Sequence, residues 1–344
     1  MTKLPNHLGI DLGSKQIKIV YFENPANPNL TLLKNIKLPN PGLNNYMPPA
    51  TEETGKLLAT AIKELNPPTQ YVAFSIPEAN TFTQFLRIPK VSKDELPETI
   101  YWQLQKILPQ SIDNFQKDYV IVNEDKKNNL YNILAVAVPN KIVENYMNVV
   151  KSAGLTPVAI EPEMFAITRT VLINYKVNSG LLLDIGANTT NVGIFTNGQL
   201  AAAQNIAFGT EELIQIVKQG LNLSTSQANE YITNNSLSTA LQNEKLNIML
   251  RPILNQFTTE LLRIIEFVKR TANIQPDITH IFLAGGGAKI KGLAEYLKAN
   301  FELKESPVTL NPFKAINVPK QIAYLKQTPY PEFAVSVGLA LKQE

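Results

Sequence analysis

Two stretches of the chain repeat one arrangement of an aspartate, a glycine and small polar residues. The first is Gly9-Ile10-Asp11-Leu12-Gly13-Ser14-Lys15, and the second is Leu183-Asp184-Ile185-Gly186-Ala187-Asn188-Thr189. In each, an aspartate lies in an apolar run and a glycine follows two residues later. Period-2 alternation then resumes, at Ile17, Ile19 and Tyr21 in the first and at Thr190, Val192 and Ile194 in the second. The apolar runs predict strands, and the glycines predict tight hairpin turns. A hairpin tip of this kind exposes backbone N–H groups that converge on an anion, and the hydroxyls of Ser14 and Thr189 add donors. The missing Cβ at Gly13 and Gly186 lets the backbone approach a ligand closely. Asp11 and Asp184 would repel phosphate directly, so the pattern makes chemical sense with a cation between them. Mg²⁺ fits, since it binds through one or two carboxylates, water and substrate phosphates. A third cluster, Ala284-Gly285-Gly286-Gly287-Ala288, follows an apolar run and brings backbone close to a nucleoside or phosphate. The three together predict a nucleotide held in a cleft between two related halves, although each alone is an ordinary turn.

Composition narrows the alternatives. At 344 residues, two domains are expected, and the 44% hydrophobic and 18% charged content is that of an ordinary globular chain. A net charge of +3 is too small to argue for nucleic acid, and no aromatic-basic interleaving suggests base stacking. The absence of cysteine excludes disulfides, thiolate metal sites and a cysteine nucleophile. With His7 and His280 as the only histidines, a zinc site or a Ser-His-Asp triad is improbable. The opening Met1–His7 lacks the apolar core of a signal peptide, and no apolar stretch approaches the length of a membrane span. A cytoplasmic protein is expected, with any membrane contact made through a partner.

Several elements must position these residues. Residues 7–22 read as a hairpin and 30–38 as a third strand. A loop of Pro, Gly and Asn follows from Pro39 to Pro49. Thr51 is the expected cap of a helix from Glu52 to Leu65, and Tyr71 to Ile76 is a strand. Ser92 and Glu95 form a capping-box pattern opening a helix through Leu108. Two strands, Tyr119–Asn123 and Tyr131–Val138, and a helix from Lys141 to Ser152 complete an α/β insertion spanning about 86–158. Leu155–Ile160 is a strand, after which Glu161-Pro162 opens a helix with Pro at its first position. The second half begins near Gly180, with helices at 210–219, 225–234 and about 241–271. A helix from Glu332 to Lys342 carries small residues suited to close packing. This predicts a first lobe of 1–179 plus 332–344, and a second of 180–331 with a helical subdomain at about 209–250.

These motifs resemble the actin-like ATPase superfamily. Within it the chain is similar to the PilM family of type IV pilus assembly. Gly9-Ile10-Asp11-Leu12-Gly13-Ser14 followed by Ile17-Lys18-Ile19-Val20 is similar to the family's opening. Pro89, Asp94-Glu95-Leu96, Trp102, Ile107-Leu108-Pro109 and Asp118-Tyr119 follow its pattern in the inserted subdomain. Glu163-Met164-Phe165-Ala166 resembles its connecting helix. Leu283-Ala284-Gly285-Gly286-Gly287, Lys291-Gly292-Leu293 and Asn311-Pro312-Phe313 resemble its C-terminal block.

The resemblance implies a two-lobed α/β actin-like (ribonuclease H-like) fold binding ATP and Mg²⁺, with weak or no ATPase activity. Asp11 and Asp184 would face the metal through water. Gly13, Ser14, Lys15, Gly186, Asn188 and Thr189 would serve the phosphates, and Gly285, Gly286 and Gly287 the adenosine. Gly209-Thr210-Glu211-Glu212 resembles the turn leading to the adenosine-binding helix, which implicates Gly209 and Glu212. That helix, Ala228 to Thr233, lacks the lysine that related proteins carry, which puts its adenosine contacts in question. Glu161 has two readings. As in related ATPases, it would position the attacking water, or it would cap its own helix.

The same resemblance implies a scaffold that captures the cytoplasmic N-terminal peptide of a PilN-like single-pass membrane protein. Other pilus assembly proteins and self-association are further expected partners. Tyr101 and Trp102 are candidate anchors, although a lone Trp on an amphipathic helix is ordinarily core. Two alternatives stay open: a filament-forming ATPase of the FtsA or MreB kind, and a small-molecule kinase of the same fold.

Overall fold

The computed structural model describes residues 3–38, 52–237, 244–272 and 280–344. The expected loop at 39–49 and the Thr51 cap lie outside the described residues, as do residues 241–243 of the expected long helix.

Two halves repeat one sheet. In the first half, β1 (Leu8–Leu12), β2 (Gln16–Phe22) and β3 (Leu30–Lys37) form an antiparallel meander. The helix α1 (Glu52–Leu65) then crosses to β4 (Tyr71–Ile76), which is parallel to β1, and β8 (Thr156–Pro162) completes the order β3-β2-β1-β4-β8. In the second half, β9 (Gly180–Ile185), β10 (Thr190–Thr196), β11 (Gln199–Ile206), β12 (Ile281–Ala284) and β13 (Val308–Thr309) form the order β11-β10-β9-β12-β13. Counted within its own half, each sheet runs 3-2-1-4-5, with the same parallel and antiparallel pairings. The central strands are apolar on both faces because helices cover both sides: β1 is buried throughout, and β9 nearly so.

The halves differ in what is inserted. Between β4 and β8 lie β5 (Phe82–Pro89), α2 (Leu96–Gln105), β6 (Phe115–Asp125) and β7 (Leu130–Pro139), which make a separate sheet in the order β5-β7-β6. Leu96, Ile100 and Leu104, four residues apart, form the buried stripe of α2 against this sheet. Ser92 and Glu95 bond reciprocally as the capping box requires, 3.3 Å and 3.1 Å, but the helix itself opens at Leu96. The helix α3 (Asn140–Ser152) buries Tyr146, Val149 and Val150 in the first-half core, and β8 belongs to the first-half sheet. In the second half, α5 (Thr210–Leu221), α6 (Thr225–Asn234) and α7 (Glu244–Ala272) intervene between β11 and β12, and α8 (Leu293–Asn300) follows β12. A second capping box forms at the start of α6, with Ser224 and Gln227 exchanging bonds.

Two helices join the halves. The helix α4 (Glu163–Tyr175) runs from β8 into the second half and buries seven of its side chains, including Met164, Ile167 and Val171. The C-terminal helix α9 (Ala334–Ala340) packs with β2 and β3 and is buried at all seven residues. Gly338 permits this, since a Cβ there would lie 1.9 Å from the Ala166 carbonyl of α4. The first half also reclaims residues before 332. Phe313, Ile316 and Leu325 pack with Val20, Phe22 and Leu30 on β2 and β3.

Candidate functional site

A cleft of about 250 Å³ opens between the two sheets at the tips of both Asp hairpins. Its lining brings together eleven of the predicted residues: Asp11, Gly13, Ser14, Lys15, Asp184, Gly186, Asn188, Thr189, Gly285, Gly286 and Gly287. The two hairpins are built alike. Gly13 N–H donates to the Gln16 carbonyl at 3.1 Å, and Gly186 N–H donates to the Thr189 carbonyl at 2.9 Å. Asp11 faces Lys18 across the β1–β2 register, and Asp184 faces Asn191 across β9–β10.

This register exposes residues that the motif reading passed over. Lys18 Nζ lies 2.7 Å from Asp11 Oδ2. Asn191 Nδ2 donates to Glu163 Oε2 at 2.8 Å and more weakly to Asp184 Oδ2 at 3.4 Å. Asn205 Nδ2 on β11 donates to Asn191 Oδ1 at 2.6 Å, which fixes the Asn191 amide. Lys18, Asn191, Glu163, Gln16 and Thr210 all line the cleft. A usable signal was present. In both hairpins a polar residue seven positions after the aspartate sits directly opposite it, where a solvent-facing strand position would carry no such constraint.

The cleft concentrates acid. Burial raises the Asp184 carboxyl to about 6, and the Asp11 charge adds to the shift. Burial also pushes Glu163 well above the ordinary carboxylate value, with Asp184 and Asp11 contributing. Glu78 is raised to about 7 mainly by burial, although its Oε1 accepts the Met164 N–H at the start of α4, 2.9 Å away. Burial alone would lower the Lys18 ammonium. Asp11, with Asp184 and Glu163 behind it, outweighs burial and holds it above its usual value. Of the two lysines lining the cleft, Lys18 is paired with Asp11 and Lys15 with Glu211, so neither pairs with Asp184 or Glu163 directly. No three His, Cys, Asp or Glu side chains among the described residues could hold a metal by themselves. The donor set therefore suits a cation that keeps its waters and shares an anionic ligand, as Mg²⁺ does, and not a closed protein cage.

The glycine turn is held tightly. Gly285 has φ +76°, and a Cβ there would fall 2.5 Å from Asp184 Oδ1 and from the Ile185 carbonyl. Gly286 has open space where its Cβ would be, so it presents bare backbone to the cleft.

Three predicted residues have other positions. Glu161 does not line the cleft. Its carboxylate accepts both Arg169 terminal nitrogens, at 2.8 Å and 3.0 Å, and the Lys342 ammonium at 2.9 Å. Arg169 also donates to the Gly338 carbonyl at 2.6 Å, so Glu161 anchors α9 to α4. It does not cap its helix either, since α4 begins at Glu163 with Pro162 at the N-cap. Glu163, two residues on, is the carboxylate that reaches the cleft. Gly209 supports the second hairpin from behind. Thr210 and Glu211 N–H groups donate to the Gly186 and Ala187 carbonyls at 3.1 Å and 2.8 Å, and a Cβ on Gly209 would lie 2.3 Å from the Ala187 oxygen. Glu212 is exposed outside the cleft, whereas its neighbour Glu211 pairs with Lys15 across the cleft mouth.

The family profile of the type IV pilus assembly protein PilM matches residues 9–344. The chain belongs to the PilM family. Among solved structures it is similar to a PilM–PilN type IV pilus biogenesis complex, with a TM-score of 0.80 and 25% identity over 98% of both chains. It also resembles the ethanolamine utilization protein EutJ from Carboxydothermus hydrogenoformans, at 18% identity and a TM-score of 0.54 over 98% of this chain and 90% of that one. MreB5 of Spiroplasma citri bound to ADP matches at 15% identity and a TM-score of 0.50, over 96% and 94%. The last two establish the actin-like fold alone. No helix among the described residues is long and apolar enough to cross a membrane.

The inserted subdomain exposes what the sequence left open. Trp102 is 56% exposed, on the side of α2 away from its buried stripe, so it is not core. Tyr101 meets it edge-on with ring centroids 5.2 Å apart.

Proposed function

We propose that this chain is an ATP-binding actin-like scaffold of type IV pilus assembly, or of a related secretion or competence machine. It docks the cytoplasmic N-terminal peptide of a PilN-like inner-membrane protein and stays cytoplasmic itself. The observation that carries this reading is the family match over 9–344 combined with likeness to a PilM–PilN complex over 98% of both chains. Nucleotide binding is supported by the cleft: two matched hairpins, a bare glycine turn and a surplus of buried acid that a hydrated cation would neutralise. Asp11 and Asp184 would hold Mg²⁺ through water, and the ion would neutralise the triphosphate. Lys18 offers a cation beside the first hairpin, and the backbone of both hairpin tips offers donors to phosphate oxygens. Glu163, held by Asn191, is the carboxylate placed to orient a water for any slow hydrolysis. Tyr101 and Trp102 are the proposed aromatic anchors for the peptide, because aromatic side chains dominate such contacts.

The test is calorimetric titration of the purified chain with Mg-ATP, and separately with a synthetic peptide of the PilN-like protein's cytoplasmic N-terminus. Binding of both, with little phosphate release over hours, is the expected result. Asp11→Ala and Asp184→Ala should each remove Mg-ATP binding while peptide binding persists. Unchanged nucleotide affinity in both variants would refute the two-hairpin site.

A further inference from the structure

Lys15 and Glu211 bond to each other across the cleft mouth, 196 positions apart in the chain. Lys15 stands at the tip of the first hairpin and lines the cleft, whereas Glu211 stands in the first turn of α5, in the second half. Of the ion pairs among the described residues, this one alone ties a hairpin tip of one half to the other half. Both ends are anchored by backbone bonds. The Lys15 carbonyl accepts the Leu38 N–H at 3.0 Å, and the Glu211 N–H donates to the Ala187 carbonyl of the second hairpin at 2.8 Å. Drawing Lys15 and Glu211 together therefore draws the two hairpin tips together.

We infer that the Lys15–Glu211 pair is a clasp between the halves that sets how fast nucleotide enters and leaves the cleft. This rests on the nucleotide reading above. A nucleotide held between the two hairpin tips passes as the tips part, and parting them separates the ammonium from the carboxylate. The side chains are 38% and 31% exposed, so water screens their attraction and the pair is a weak restraint. Such a restraint does not seal the cleft; it lowers the fraction of time that the cleft is open. Lys15 carries its charge on a flexible four-carbon stem, so the pair persists through small changes in cleft width. Glu211 does not line the cleft and makes no ligand contact of its own. A contact kept with and without ligand has no differential affinity and shifts no binding equilibrium. Loss of the Glu211 charge therefore changes the two rates together and leaves their ratio alone.

The test follows fluorescent N-methylanthraniloyl-ATP with Mg²⁺ by stopped flow, in the native chain, Glu211→Gln, Lys15→Met and the double variant. Glu211→Gln should speed association and release alike by roughly 2–5-fold, the range of a partly exposed ion pair, with the dissociation constant unchanged. In the Lys15→Met background the same change should have no further effect, because the pair is already broken. That comparison isolates the pair from any contact that Lys15 makes with phosphate. The native release rate should also rise with salt, and that of Glu211→Gln should rise less. Native rates in Glu211→Gln would overturn the clasp. So would tighter binding through slower release, because Glu211 would then be masking Lys15 from the phosphates. An acceleration that persists in the Lys15→Met background would place the effect outside the pair and refute it as well. Failure of the native chain to bind unlabelled Mg-ATP in calorimetry would instead refute the nucleotide reading, and the clasp with it.

Discussion

Removing the Glu161 side chain separates two accounts of that residue. The carboxylate is only 8% exposed and holds two cations, Arg169 and Lys342, which are 24% and 21% exposed. Taking one partner from a buried pair costs roughly 3–5 kcal/mol, because the remaining charge loses its compensation. Here water reaches about a fifth of each cation, and Arg169 keeps its bond to the Gly338 carbonyl. The expected cost of Glu161→Ala is therefore ~2–3 kcal/mol, which lowers the melting temperature of a 344-residue chain by about 3–4 °C. The loss should depend on pH. Burial alone would raise the Glu161 carboxyl, but Arg169 and then Lys342 outweigh it and hold it below its ordinary value of 4.5. A carboxyl held low in the folded state contributes stability that is fully present above the unfolded value. That contribution is lost as pH falls through the folded one. The native and Glu161→Gln proteins should therefore differ in thermal melts above pH 4.5 and converge in more acid solution. Mg-ATP affinity measured well below the melt should be unchanged. A variant that melts with the native protein, binds Mg-ATP normally and loses all phosphate release would show Glu161 acting on water, and the anchoring account would be wrong.

The two glycines of the turn should respond differently. Gly285→Ala places a Cβ 2.5 Å from Asp184 Oδ1 at φ +76°, and should both lower the melting temperature and abolish Mg-ATP binding. Gly286→Ala meets nothing within 4 Å, so its melt should match the native one and only nucleotide affinity should fall. Equal destabilisation in both would contradict the geometry. Trp102→Ala removes an exposed side chain and should change stability by less than about 0.5 kcal/mol. In the peptide titration it should weaken binding by roughly 10-fold or more if α2 carries an anchor. An unchanged peptide affinity would move the docking face elsewhere.

The sequence by itself determined the repeat, the two Asp hairpins and the glycine turn. Each is a local pattern, in which period-2 alternation sets the strand and the glycine sets the turn within a few residues. The capping box at Ser224 and the left-handed Gly154 after α3 are local in the same sense. Tertiary structure decided which charged side chains meet the cleft. Glu161 and Glu163 are two residues apart at one strand-to-helix junction, and no local signal says which is taken by a cation 181 residues away at Lys342. Lys18 and Asn191 gain meaning only when the register sets them opposite their aspartates. The packing of α3 is decided in the same way, since it follows the inserted strands in the chain but packs on the core of the first half. Spacing along the chain fixes local conformation through steric and hydrogen-bonding rules a few residues long. Ion pairing and burial depend on elements brought together from distant parts of the chain, and those are properties of the folded whole.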